Sequence, residues 1–289
     1  MIAVRLQGRL GNQLFQYAFI IVAAKKLNTR FYIDQFIEPS IIDKYFENVT
    51  GINKATRQVF NINGFKNIFN FHLRRLYFKY LPKINKLSVK EYTFTDTVLE
   101  TTLSNNTLYS GFFQSELFFK DAEDLIRNKF SLKKIVTGQF KNKYGGLYRD
   151  NRIVTIHIRR TDYQYLPHLN LGGDDLSLPI SYYQKALAKY EGQNVHFVFV
   201  TDDFDFVSQS FKYIENKTIS NDTEIMDFQH LLNADECIIS NSSFSWWGAW
   251  LNPKQNKVVY CPEYYVGFHL KQQIPKNIYP KEWRQIEFS

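Results

Sequence analysis

Apolar positions along this chain alternate between two periods. The chain opens on Ile2-Ala3-Val4-Arg5-Leu6, a short apolar run that reads as a strand. After a glycine turn, Leu14, Phe15, Ala18, Phe19 and Val22 recur at helical spacing and predict a helix over 12–27, followed by a strand at 31–34. A mostly helical, basic insertion comes next. A strand at about 107–112 then leads into a helix at about 116–130, with Leu117, Ala122, Leu125 and Ile126 apolar. Periodicity lapses over 131–150, where Lys133, Lys134, Lys141 and Lys143 surround Gly145-Gly146; this stretch reads as a loop. The second half alternates more cleanly. A strand at 153–158 precedes a helix starting near Ser181, with Tyr183, Ala186, Leu187 and Tyr190 on its apolar face. A strand at 195–201, a helix at about 224–234, a strand at 237–240, a helix at 245–251 and a strand at 257–261 complete it. This βαβα order implies α/β architecture, with parallel sheets covered by helices on both faces. The loop-like stretch places a boundary between domains 1–145 and 146–289. There is no internal repeat or low-complexity stretch.

Composition agrees with a globular chain. Of 289 residues, 44% are hydrophobic and 22% charged, enough apolar material for a sizeable core. The two cysteines, Cys237 and Cys261, each fall in a predicted strand and read as small core residues. No cluster of Cys and His has metal-ligand spacing, which argues against zinc. Arg5, Arg9 and the apolar segment to Ala24 mimic a signal peptide, but Gln13 and Gln16 interrupt the run and a strand-turn-helix reading fits better. No run reaches the ~18 apolar residues of a membrane span, so the expected location is cytoplasmic.

The net charge of +8 is unevenly spread. From Asn48 to Lys90 there is no acidic residue, while Arg74, Arg75, Lys79, Lys83 and others interleave with Phe71, Leu73, Leu76, Tyr77 and Phe78. A basic amphipathic segment of this kind suits an anionic membrane surface, a nucleic acid, or simply a solvated basic face. The favoured expectation is peripheral contact with the inner face of the plasma membrane through residues 48–90, without nucleic acid.

Three segments carry candidate chemistry. His157-Ile158-Arg159-Arg160-Thr161-Asp162 ends the strand at 153–158. Ligands of open α/β sheets bind at that edge, and paired guanidinium forks fit the oxygens of a diphosphate. Gly8-Arg9-Leu10-Gly11-Asn12-Gln13 forms a strand-to-helix turn in which two glycines permit close backbone approach. It is neither the dinucleotide fingerprint nor a P-loop. Ser240-Asn241-Ser242-Ser243-Phe244-Ser245 follows a third strand and offers hydroxyls and backbone N–H groups to an anion. Trp246, Trp247 and Trp250, three of the chain's four tryptophans, continue it as a helix that equally suits an aromatic core.

In this order, these segments resemble the landmarks of glycosyltransferase family 11, the α-1,2-fucosyltransferases. The resemblance runs from residue 8 to about residue 251. It implies two Rossmann-like domains facing a cleft, the glycosyltransferase-B architecture, with an N-terminal acceptor side and a C-terminal domain for the GDP-sugar. It further implies inverting transfer of L-fucose from GDP-β-L-fucose to the 2-hydroxyl of a terminal β-galactose of a glycan; the membrane reading of the basic segment adds a lipid-linked acceptor as an option. No metal and no resident cofactor are expected.

Residue roles follow from this resemblance. Arg159 and Arg160 are aimed at the charge growing on the departing diphosphate. Asn12 is expected to hold the fucose or the β-phosphate, with Gly8, Gly11 and Gln13 beside the donor. Ser242 and Ser243 are expected on its phosphates, Asn241 and Phe244 elsewhere along the donor, and Asp202 and Asp203 near the base, where a carboxylate suits guanine. His157 is expected on ribose or phosphate, or else as a packed histidine. Asp162 is the obvious acid–base candidate, although a carboxylate neutralised by an arginine pair is a poor base near pH 7 and suits orientation better. Tyr163, Tyr165 and His168 are expected to form the acceptor wall. A competing reading comes from Asp203-x-Asp205, the spacing with which other glycosyltransferases hold a divalent metal on a nucleotide diphosphate. Asp205 equally suits the first turn of a helix.

Overall fold

The computed structural model describes residues 1–51, 68–92 and 102–288. The chain divides into two compact units, Met1–Ser131 and Leu132–Ser289.

In the first unit, β1 (Ile2–Arg5) leads into α1 (Leu10–Lys26) and returns through β2 (Phe31–Asp34). Then come α2 (Ile68–Ile84), β3 (Ser88–Glu91), β4 (Thr107–Ser110) and, after two short 3-10 turns, α3 (Glu123–Lys129). The four strands form a parallel sheet in the order β2-β1-β4-β3. Helix α1 is buried on nearly every side, so the segment that mimics a signal peptide is the central helix of this unit. Its interior glutamine is satisfied: Gln16 Nε2 donates to Gly111 O at 2.9 Å, and Gln16 Oε1 accepts from Gln7 N at 3.1 Å. That pairing explains how amides interrupt an otherwise apolar helix without penalty. Of the basic insertion, α2 is helical as predicted, whereas Lys54, Arg57 and Lys66 lie outside the described residues.

The second unit begins with α4 (Lys134–Asp150) and β5 (Ile153–Ile158), then α5 (Ile180–Leu187), β6 (His196–Thr201), α6 (Phe204–Ser210) and β7 (Lys217–Ile219). It continues through α7 (Glu224–Asn233), β8 (Glu236–Ile238), α8 (Ser243–Leu251), β9 (Val258–Pro262) and β10 (Arg284–Ile286). Its sheet has the order β10-β9-β8-β5-β6-β7, with every pairing parallel. All six residues of β5 are buried, as expected for a central parallel strand covered on both faces. Val154, Ile156 and Ile158 pack with Tyr182, Tyr183, Phe199 and Phe211. Trp246, Trp247 and Trp250 stack among themselves at 5.1–6.1 Å between ring centroids, so α8 is an aromatic core helix. Cys237 and Cys261 are buried free thiols in the same unit.

Two expectations are corrected. Residues 134–150 form a helix rather than a loop, and the division between units falls at 131/132, not at 145/146. The reason is tertiary. Phe140, Tyr144 and Tyr148, four residues apart, surround the ring of His230 on α7 with centroids at 5.1, 4.5 and 5.9 Å. Packing of one face overrides the weak propensity of Gly138, Gly145 and Gly146.

Candidate functional site

The chain runs from β5 outward through β6 and β7, then crosses back to place β8, β9 and β10 on the other side of β5. The sheet therefore changes direction between β5 and β8. The carboxyl ends of strands at such a switch point leave a crevice that helices do not cover. Two of the three chemistry-bearing segments lie there: Arg159–Asp162 after β5 and Ser240–Phe244 before and into α8.

The arginines are held by Asp162 on their own loop and by Asp202 and Asp203 at the end of β6. Arg159 donates through Nη2 to Asp162 Oδ1 at 2.7 Å, and its Nη1 lies 3.2 Å from Asp202 Oδ2. Arg160 donates through Nε to Asp203 Oδ2 at 3.0 Å, and its guanidinium carbon lies 3.7 Å from the centre of the Phe206 ring. Asp202 also accepts from Arg160 N at 2.9 Å and from Thr161 Oγ1 at 2.5 Å. Burial pulls the Arg159 guanidinium down, but Asp162 and Asp202 more than offset this and leave it above its ordinary value. The result is a preorganised guanidinium edge, with each fork held in place by carboxylates.

Asp203 has a second task. Its Oδ1 caps α6 by accepting from Phe206 N at 3.1 Å. With Oδ2 on Arg160, both oxygens are engaged, while Asp205 sits in the first turn of α6, where an acid complements the helix dipole. Asp202 likewise uses both oxygens on the arginine loop. These two aspartates shape the arginine edge, a role their position along the chain does not reveal.

His157 is 4% exposed and shares a 2.7 Å hydrogen bond between its Nδ1 and Ser240 Oγ; its ring lies 5.6 Å from that of Phe244. Burial, with Arg159 nearby, pushes its imidazole down to about 3, so it stays neutral. It is the packed histidine of the two alternatives, although its bond goes to a hydroxyl. Ser242 caps α8 through Phe244 N at 3.4 Å, while Ser243 and Phe244 are half-buried at the helix start. Asn241 is fully buried and donates to Leu176 O at 2.8 Å, with no partner on its Oδ1. Tyr163, Tyr165 and His168 lie on the loop from β5 to α5. Tyr163 packs against Arg159 (5.7 Å), and Tyr165 is 73% exposed.

The first unit carries its own loop at the switch between β1 and β4. Gly8 has φ +72°, and a Cβ there would meet Asn12 Nδ2 at 2.5 Å, so glycine is required. Asn12 Oδ1 accepts from Gln114 Nε2 at 2.9 Å, on the loop after β4. The helix starts at Leu10, so Gly11 lies in its first turn. Gln13 is corrected: it is 1% exposed and ties the loop down, donating to Gly8 O and Pro39 O and accepting from Ile41 N, all within 3.2 Å. Its side chain is scaffolding rather than a donor contact. Sequence reasoning also missed Thr161, Phe206 and Gln114, whose partners lie far away along the chain and leave no local signal.

The model of the family described as Glycosyl transferase family 11 matches residues 1–287. The chain belongs to glycosyl transferase family 11. Among its relatives, this glycosyltransferase is 28% identical to the O-antigen biosynthesis glycosyltransferase WbnK of Escherichia coli, over 93% of this chain and 96% of that one. It is 26% identical to an alpha-1,2-colitosyltransferase of Escherichia coli, over 99% of both. Among solved structures it resembles the fucosyltransferase NodZ from Bradyrhizobium, at a TM-score of 0.53 and 15% identity, with 87% of this chain and 93% of that one covered. A second NodZ structure, co-crystallised with GDP, aligns at a TM-score of 0.52 and 16% identity, covering 87% and 92%. These establish the fold of this family 11 enzyme as the glycosyltransferase-B kind, built from two Rossmann-like units. No described helix is long and apolar enough to cross a membrane.

Proposed function

We propose that this glycosyltransferase moves L-fucose from GDP-β-L-fucose to the 2-hydroxyl of a terminal β-galactose, with inversion and without a metal. The observation that carries the reading is the paired Arg159–Arg160 edge at the switch point of the second unit, in a family 11 chain. The O-antigen role of one relative, the α-1,2 linkage named for another and the GDP bound to NodZ support it. In this reading the second unit takes the GDP-sugar and the first unit the acceptor side. The acceptor is a galactose-terminated, lipid-linked glycan at the cytoplasmic face of the membrane, read by Tyr163, Tyr165 and His168.

The galactose 2-oxygen forms the new bond to the anomeric carbon while the bond from that carbon to the β-phosphate oxygen breaks. GDP leaves with the electron pair, and the hydroxyl proton passes to solvent or to a carboxylate. Arg159 and Arg160 stabilise the charge on GDP, and Ser243 with the first N–H groups of α8 add neutral donors. Asp162, bound to Arg159 at 2.7 Å, orients that guanidinium instead of serving as the base. The metal-dependent alternative would require Asp203 to leave both its helix cap and Arg160.

The colitosyl relative favours a second reading, in which the donor sugar is colitose. The experiment is incubation with GDP-fucose or GDP-colitose and lactose, with and without EDTA, reading GDP release and product linkage. Transfer to the galactose 2-hydroxyl that survives EDTA is expected. Loss of turnover with EDTA would return the diphosphate to Asp203 and Asp205, and preference for GDP-colitose would replace the donor.

A further inference from the structure

Helix α2 has three distinct faces. Arg74, Phe78 and Leu81 turn toward the rest of their unit. Arg74 is 8% exposed and donates to the carbonyls of Gln35 and Ile37, and Phe78 is 2% exposed. The second face is cationic. Arg75, Lys79 and Lys83 follow one another at four-residue spacing, all exposed, and none has an ion-pair partner among the described residues. Arg75 rests on the Phe36 ring at 4.9 Å; Lys79 and Lys83 both approach Tyr80 at 5.9 Å. Like charges at this spacing repel, so the isolated helix does not favour them. The third face is apolar yet open to solvent: Leu73, Leu76, Tyr77, Tyr80 and Ile84 recur at three- and four-residue steps, with Leu76 at 52% and Ile84 at 73% exposure. Beside Tyr77, a groove of about 170 Å³ lined by Tyr32, Ile33, Phe78, Leu81 and Asn85 extends the apolar surface.

A contiguous exposed apolar stripe on a folded unit, rimmed by charge, marks a docking surface. Here the flanking charge defines the occupant. A positive strip beside an aromatic and aliphatic strip on one helix matches the interface of an anionic bilayer, where phosphates meet the lysines and acyl chains meet the apolar side chains. We infer that α2 is a membrane-docking helix that lies in the plane of an anionic phospholipid surface, with Leu73, Tyr80 and Ile84 in the acyl boundary and Arg75, Lys79 and Lys83 on the headgroups. This deepens the proposed use of a lipid-linked acceptor and rests on it only for its purpose, not for its physics.

The test is sedimentation of the full chain with phosphatidylcholine vesicles and with vesicles that also contain phosphatidylglycerol, alongside transfer to a soluble acceptor. Binding to the anionic vesicles is expected to fall about tenfold or more in K79E/K83E and in L73S/I84S, and to weaken with salt. Transfer to lactose by both variants is expected to match the parent, since none of these residues is part of the proposed sugar or phosphate site; that control separates this inference from the proposed activity. Equal vesicle binding by parent and variants would overturn it, as would no binding to anionic vesicles at all. Concentration-dependent dimerisation in ultracentrifugation, abolished by L73S/I84S while vesicles are ignored, would assign the face to a second copy instead.

Discussion

At the residue scale, Arg159 shows how a motif becomes a site. Its side chain is only 16% exposed and touches two carboxylates and one ring, so the fold itself fixes its fork. A lysine in its place would keep the charge and lose the fork. R159K is expected to lower kcat by ~10²-fold or more, with little change in melting temperature, measured by GDP release and by calorimetry. Asp162 offers a sharper test. If it only orients Arg159, D162N lowers kcat by about tenfold and leaves the shape of the pH–rate profile unchanged; disappearance of an acidic limb in the variant would instead make Asp162 the base. The arginine pair and Asp162 were legible from sequence because a strand end and a charge pair are local signals. The double duty of Asp203 was not, since the cap is local but the Arg160 partner sits 43 positions away.

At the element scale, glycines distinguish fit from tolerance. Gly248 on α8 faces Leu231 on α7, and a Cβ there would meet Leu231 Cβ at 2.6 Å and Cδ1 at 2.9 Å. G248A is therefore expected to cost about 1–3 kcal/mol in urea unfolding, the usual toll of overpacking. Gly138 on α4 is the opposite case, with nothing within 4 Å of where a methyl group would stand and no left-handed backbone. G138A is expected to stabilise by roughly 0.4–1 kcal/mol, through helix propensity and a less flexible unfolded chain. The same glycines made α4 read as a loop. Short strands were equally hard to see where they lack an apolar run: β7 is Lys217-Thr218-Ile219 and β10 is Arg284-Gln285-Ile286, whereas the equally short β8 is followed by apolar Ile239.

At the scale of the whole molecule, stability should depend on pH through buried groups that mostly lie outside the arginine edge. His230 is fully buried and pushed down to about 4 by desolvation, and His157 to about 3. Each takes up a proton more readily when unfolded, from about pH 6.5 downward. Their contribution is full above that value and is lost as pH falls toward 4 and 3, by up to about 1.4 kcal/mol per pH unit for each. Asp227 runs the other way. Burial pushes its carboxyl up to about 7, so its contribution is full below the ordinary carboxylate range and is lost as pH rises through 7. Two histidines outweigh one aspartate, so urea midpoints are expected to be lower at about pH 5 than at about pH 7. D227N removes the opposing contribution and is expected to widen that gap, raising the midpoint at neutral pH most. A gap unchanged by D227N would mean that the carboxylate is ionised in the folded chain.

The sequence by itself determined the parallel α/β class, the order of its main strands and helices, and the polar segments that follow β1, β5 and β8. Those are recorded in hydrophobic period, in glycine and hydroxyl punctuation and in residues adjacent along the chain, all of which act over a few positions. Only the tertiary structure decided that 134–150 is helical, because the ring of His230 needed walls on α4. It alone converted Gln13 from a ligand contact into a strut and joined Asp202 and Asp203 to the arginine loop. It also split the basic helix α2 into buried, cationic and apolar faces. Each of these depends on a partner brought close by chain crossover, and contacts at that separation leave no imprint on local pattern.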